Sequence, residues 1–121
     1  MNIRRADRVA DAIRTDIGNI LLRNAKDPRI GFITITRVTV DDALKNVDIY
    51  FTKLGGPVQK EEALEGLMHA KSFFRRELAH ELRLKSMPSL RFHIDNDYEK
   101  TERIQLLLEK INSNTSEQNR D

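Results

Sequence analysis

A mixed α+β fold, in the order helix, strand, strand, helix, helix, strand, helix, is predicted by three features of the chain. Apolar residues near the N-terminus recur at spacings of three and four, the mark of a helix with one buried stripe. Three shorter segments alternate apolar and polar residues, as half-buried strands do. Between these segments stand Asp27-Pro28, Gly55-Gly56-Pro57 and Pro88, residues that interrupt regular structure. A length of 121 residues fits one domain. Residues 1–111 are expected to form it, and 112–121, which hold no apolar side chain, to be a disordered polar tail.

The first helix is expected from about Ile3 to Asn24, with Ala6, Val9, Ala10, Ile13, Ile17, Ile20 and Leu21 on one stripe. Arg4 and Arg8, four residues apart, share its outer face. Asp27-Pro28 stops it, and Gly31 supplies a turn. Phe32 to Val40 then reads as a strand, with Phe32, Thr34, Thr36, Val38 and Val40 on one face and Ile33, Ile35, Arg37 and Thr39 on the other. Asp41-Asp42 marks a turn into a second strand, Val47 to Leu54, and the short link implies an antiparallel hairpin. Gln59 to about Leu84 is helical, with Leu67, Phe74, Leu78 and Leu82 in phase. An unbroken helix of that length would span roughly 39 Å, too long for so small a domain. A break is therefore expected at Ala70-Lys71-Ser72, ahead of the bulky Phe73-Phe74 pair. Leu90, Phe92 and Ile94 alternate in a third strand, and Tyr98, Ile104, Leu107, Leu108 and Ile111 stripe a last helix.

Composition excludes several functions. No apolar run approaches about 18 residues, so no membrane-spanning helix is expected, and the arginine-rich opening does not read as a secretory signal. The absence of cysteine removes disulfides, thiolate metal sites and a cysteine nucleophile, and suits a cytoplasmic protein. The net charge of +2 conceals an uneven distribution. Residues 1–29 carry +3 and 71–91 carry +4, while 30–70 carry −2 and 92–121 carry −3. Two basic blocks of this kind are either solvated helix faces or a surface for a polyanion.

Catalytic and metal-binding chemistry finds little material. His69 and His80 lie on one helix face but roughly 16 Å apart, too far to share a metal. His93 reads as an ordinary strand residue. Asp95-Asn96-Asp97 could hold magnesium, but a polar turn with Asp97 capping the last helix explains it more simply. Glu61, Glu62 and Glu65 suit the positive end of a helix dipole. No phosphate-binding glycine loop or nucleophile elbow occurs. No cofactor is expected.

Lys71, Arg75, Arg76, Arg83, Lys85 and Arg91 instead surround the expected break and run into the third strand. Arg76 and Arg83, seven apart, project from nearly the same helical face. Arginine forks bind phosphate oxygens bidentately, and a helix start at Lys71-Ser72 adds backbone N–H donors. Aromatic residues do not visibly interleave with the basic ones, so a binder that reads shape and phosphate backbone more than sequence is implied.

Four stretches, in order, resemble the ribosome-binding factor A family of bacterial proteins that assist maturation of the small ribosomal subunit. They are Arg5-x-x-Arg8-Val9-Ala10 running into Ile13, Lys26-Asp27-Pro28-Arg29-Ile30-Gly31, Leu67-x-x-Ala70-Lys71-Ser72-Phe73-x-Arg75, and Leu82-Arg83-Leu84-Lys85-x-x-Pro88-x-Leu90-x-Phe92 followed by Asp95. The resemblance covers about residues 4–108. It implies a type II KH-like domain, order αββααβ with an added C-terminal helix, in which an Ala-x-Gly kink replaces the GXXG loop. Here Ser72 stands where the family has glycine, and Ala43-Leu44 where an Asp-Leu pair is common.

By that resemblance the protein would bind the immature small ribosomal subunit around its neck and decoding region. It would promote late folding and processing of the 5′ end of the rRNA precursor, with importance in the cold, without being the nuclease. A GTPase would assist its release. The RNA-contacting set expected from the residues and the resemblance together is Arg4, Arg5, Arg8, Arg29, Lys71, Ser72, Arg75, Arg76, Arg83, Lys85 and Arg91, with Ala70, Lys71 and Ser72 forming the kink. The protein would be a non-enzymatic monomer that touches no membrane. For the Asp27-Pro28-Arg29 stretch a structural turn is the favoured reading, with Arg29 its one candidate contact. Two other readings remain open at this point: a protein-interaction adapter, and a metal-dependent RNA-processing enzyme built on Asp95 and Asp97.

Overall fold

The computed structural model describes residues 4–24 and 27–118. Ile3 at the expected helix start, Lys26 of the second family-like stretch, the Tyr98 side chain and residues 119–121 lie outside what is described. The elements are α1 (Arg5–Asn24), β1 (Thr34–Val40), β2 (Asn46–Thr52), α2 (Pro57–His69), α3 (Lys71–Leu82), β3 (Ser89–Ile94) and α4 (Asn96–Gln118). No helix among the described residues is long and apolar enough to cross a membrane.

The predicted stripe of α1 is the one that is buried. Ala6, Ala10, Ile13, Ile17 and Ile20 are inside, with Val9 and Leu21 packed at the margin. The helix lies across β1 and against α3. The strands form one sheet in the order β1-β2-β3, with β1 antiparallel and β3 parallel to β2. A parallel neighbour needs a long crossover, and the α2–α3 pair provides it. Val47, Ile49 and Phe51 of β2 face the helices beside Leu90 and Phe92 of β3. They meet Ala63 and Leu67 of α2 and Phe74 and Leu78 of α3, with the Phe74 and Phe92 rings 5.8 Å apart.

The strict alternation expected for the first strand does not hold. Ile35 pairs with Phe51, but the next paired residue is Arg37, opposite Tyr50, so Thr36 is an extra residue in a β-bulge. The bulge changes the phase: Ile33 and Ile35 face the core before it, and Val38 and Val40 after it. It also turns Arg37 to the open face. Phe32 precedes the strand and is 94% exposed.

Four helix boundaries differ from expectation for local reasons. Pro57 opens α2 because its missing N–H costs nothing at a first position, and Gln59 Oε1 accepts the Gly56 N–H at 2.9 Å. Glu61, Glu62 and Glu65 therefore fall beyond the first turn. At the end of α3, Arg83 is a left-handed cap (φ 51°, ψ 38°), so the helix stops short of Leu84. The last helix starts at Asn96, which places Asp97 inside its first turn instead of at its cap. It then crosses the expected boundary at 112 and runs to Gln118. No glycine or proline stops it there, and an established helix extends by one hydrogen bond per residue fixed. Ile104, Leu107, Leu108 and Ile111 of the predicted stripe are more than half exposed, so these described side chains do not form a buried face.

Candidate nucleic-acid interface

The break between α2 and α3 is a single residue. Ala70 ends one helix and starts the next, with φ −87° and ψ 5°. Its N–H donates to Gly66 O and its carbonyl accepts from the Phe74 N–H, each at 3.0 Å. The bend thus keeps its hydrogen bonds without a left-handed residue. Serine at position 72, inside the first turn of α3, is compatible with it, since that position is helical. Phe74 goes into the core and Phe73 packs edge-on against it, 5.6 Å away. That fixes the outward side of α3: Ser72, Arg75 and Arg76 are exposed and Lys71 is half-buried. Arg75 Nη2 donates to Met87 O at 3.3 Å, tying the start of α3 to the segment that leads into β3.

The Asp27–Gly31 turn packs beside this bend. A Cβ on Gly66, four residues before Ala70, would lie 2.8 Å from Ile30 Cγ1, 3.4 Å from Arg29 Cβ and 3.5 Å from Asp27 Oδ2. Asp27 organises the turn. Its Oδ1 accepts the Arg29 N–H at 2.9 Å and Nε at 3.2 Å, while Oδ2 accepts Arg29 Nη2 at 2.8 Å. Hydrogen bonds from Arg29 hold the Asp27 carboxyl below its ordinary range. Ile30 is buried, and Lys53 Nζ donates to Arg29 O at 3.1 Å. Arg29 is thus built into the turn and still stands next to the kink.

The rest of the expected set separates. Arg83 and Lys85 lie at and beyond the far end of α3, about 18 Å along its axis from Lys71. Arg76 and Arg83 do not share one continuous helix, because α3 ends at Leu82 and Arg83 has a left-handed backbone, so the seven-residue period does not carry through to it. Arg4, Arg5 and Arg8 are exposed at the start of α1, where Arg4 pairs with Asp7 at 3.5 Å and Asp42 at 3.4 Å. Arg91 faces the opposite side of the sheet from α3, since Leu90 and Phe92 take the helix side. The last turn of α3 also has an acidic neighbour. Burial, then the charge of Glu81, push the Asp16 carboxyl up, with Arg23 opposing. Acidic charge from Asp16 and Glu81 thus stands near the end of α3, where the helix dipole is also negative, beside the exposed Arg83 and Lys85.

Asp95 is occupied structurally: its Oδ2 accepts the Thr36 hydroxyl at 2.5 Å, and its N–H donates to Phe51 O at 2.7 Å. Among the described residues no three His, Asp or Glu side chains converge as metal ligands.

One constellation has no counterpart in the sequence reading. On the open face, Arg37 lies over the Tyr50 ring, 4.0 Å from its centroid, and Tyr50 stacks on His93 at 4.8 Å with 26° between planes. Beside this row Asp48 accepts Arg91 Nε and Nη2 at 2.8 and 2.9 Å and lies 2.7 Å from His93 Nε2. Burial pushes the Asp48 carboxyl up, but the Arg91 and His93 hydrogen bonds outweigh it and the net direction is down. The shift of apolar residues from odd positions (Ile33, Ile35) to even ones (Val38, Val40) was the available sign of the bulge that puts Arg37 there.

The family model for ribosome-binding factor A matches residues 5–108. The chain belongs to the ribosome-binding factor A family. A family member from Syntrophobacter fumaroxidans is 40% identical over 116 residues, spanning 94% of this chain and 99% of that one. The solution NMR structure of a Thermotoga maritima protein is similar with a TM-score of 0.67 and 33% identity, over 77% of this chain and 90% of that one. A Thermus thermophilus ribosome binding factor A, fitted as a homology model into the map of a 30S–RbfA complex, shares the fold. Its TM-score is 0.54 at 21% identity, over 74% of this chain and 89% of that one.

Proposed function

We propose that this chain is a non-enzymatic assembly factor that binds the immature small ribosomal subunit through its rRNA. In this reading it promotes late folding of that RNA and processing of the precursor's 5′ end. The observation that carries the reading is the bent α2–α3 pair with Lys71, Ser72, Arg75 and Arg76 at the bend and Arg29 beside it. A helix start presents N–H groups, and guanidinium forks match phosphate oxygens. Neither group reads base identity, so the surface suits folded RNA recognised by its backbone. Family membership supports the choice of the small subunit as the target, and we read the bent pair and sheet as a KH-like arrangement.

The mechanism is selective binding. A ligand shifts a folding equilibrium only by its differential affinity for the two states. The factor favours one conformation of the maturing RNA by binding it more tightly, and leaves when the RNA passes to a form it binds poorly, with a GTPase assisting release in the cytoplasm. The factor acts as a monomer.

Crosslinking of the full chain to subunit precursors, with mapping of the RNA positions, tests this. Crosslinks from residues 71–76 to rRNA of precursors, fewer to mature subunits, are expected. Crosslinks confined to ribosomal proteins would favour an adapter role and overturn the proposal.

A further inference from the structure

The open face of the sheet is polar throughout. Thr39, Asp48, Tyr50, Arg91 and His93 point to it together with Arg37, and no aliphatic side chain does. Thr34 and Thr52, at one end, line a groove with Glu102, Arg103 and Leu106 of α4. Phe32, Leu54 and Leu106 line that groove too, so apolar surface is confined to the end of the face, and the strand residues around Tyr50 and His93 give an apolar protein surface nothing to bury. What the face does offer is a stack of planar groups. Arg37, Tyr50 and His93 are register partners on three successive strands, with the Arg37 guanidinium carbon over the Tyr50 ring and that ring stacked on the imidazole. The row ends at β3, an edge strand, so no further strand lies beyond the imidazole among the described residues. His93 is held in place by the 2.7 Å contact to Asp48, and its side chain is still 40% exposed. Arg91, 52% exposed, uses two N–H donors on Asp48 and keeps the others for an anion. Arg37 and Arg91 are balanced by Asp48 and by Asp41, whose charge also reaches Arg91, so the face offers a stack of planar groups with an arginine beside it rather than a net positive charge. The bulge at Thr36, tied to Asp95, is what brings Arg37 into the row.

We propose that this face is a second RNA contact, in which an unpaired base stacks on the outer side of the His93 imidazole and its phosphate is held by Arg91. The ligand must be single-stranded at that point, because a base within a helix has no free face to offer. The proposal rests on the reading of the chain as an RNA-binding factor and adds a contact on the side of the sheet away from the α2–α3 bend. The stack of Arg37 on Tyr50 on His93 acts as a rigid platform, and a fourth planar group extends it.

The test uses the full-length chain with an oligoadenylate of about ten nucleotides and an abasic strand of equal length. NMR signals of the His93 ring should move with oligoadenylate and not with the abasic strand. His93→Ala should weaken oligoadenylate binding by about fivefold to a hundredfold, the range of losing one base stack. His93→Phe, which keeps a stacking face but loses the Asp48 contact, should retain it, which a merely structural role would not allow. Equal binding by wild type and His93→Ala, equal binding of the abasic strand, or a phenylalanine variant as weak as alanine would overturn the proposal. If the chain still binds small subunits, and Arg76→Glu weakens that binding, the failure belongs to the open face alone. If the wild-type chain binds neither oligoadenylate nor subunits, both readings fall.

Discussion

Two helical glycines should respond to alanine with opposite signs. Gly18 lies in α1, and a Cβ built there would meet nothing within 4 Å. Alanine at that position gains only helix propensity, about 0.5–1 kcal/mol. Gly66 lies in α2, where the same gain applies. Its Cβ, however, would stand 2.8 Å from Ile30 Cγ1, against an optimum of about 3.5–4.0 Å between carbons. Ile30 is 1% exposed and belongs to the packed core, so its side chain moves only by displacing neighbours. Overpacking of this kind costs about 1–3 kcal/mol. The net effect of Gly66→Ala is therefore a loss of about 0–2.5 kcal/mol, or a drop in Tm of up to roughly 10 °C. Gly18→Ala should raise Tm by on the order of 2–5 °C. Urea and thermal unfolding followed by far-UV circular dichroism give the free energies and the Tm shifts. The same sign for both substitutions would refute the claim that the Asp27–Gly31 turn is seated on α2 next to the kink.

Thr36→Val removes a hydroxyl that bonds the Asp95 carboxylate, and should cost about 1–3 kcal/mol in urea unfolding; an unchanged midpoint would mean that the bond does not anchor the bulge. Ser72→Gly should lower stability by a few tenths of a kcal/mol, because the kink needs no positive φ and glycine is the poorer helix residue; a more stable variant would show that the kink is strained at position 72. Asp48→Asn bears on pH. The folded carboxyl is held below its unfolded value of about 3.9, so its contribution is present above that pH and lost as pH falls through the lower folded value. The stability gap between wild type and variant should therefore narrow below about pH 4, and a constant gap would contradict the Asp48 contacts.

Much of the fold was legible because local pattern and tertiary burial agree. The α1 stripe, the β2 alternation and the break at Ala70 follow from spacing that the core then uses. The misreadings arise where a distant partner decides. The bulge at Thr36 is fixed by pairing with β2 and by Asp95, 59 residues away. Register between β2 and β3 is set by the crossover helices, so nothing in either strand announces that Tyr50 meets His93. Of the candidate site, the basic residues at the break were visible as charge near a predicted bend. Arg91 is close to them in sequence, yet strand alternation sends it to the other face. Arg83 was aligned by a helical period that ends one residue before it.

The central claim is that cations at the α2–α3 bend neutralise phosphates of small-subunit RNA. Co-sedimentation with small subunits across a salt series measures this directly. If about five phosphates are contacted, log affinity should fall against log salt with a slope near −3.5 to −4.5. Arg76→Glu should weaken binding and make the slope shallower by about one, with the circular dichroism spectrum unchanged. A flat salt response, or an Arg76→Glu protein that sediments as wild type does, would contradict the account.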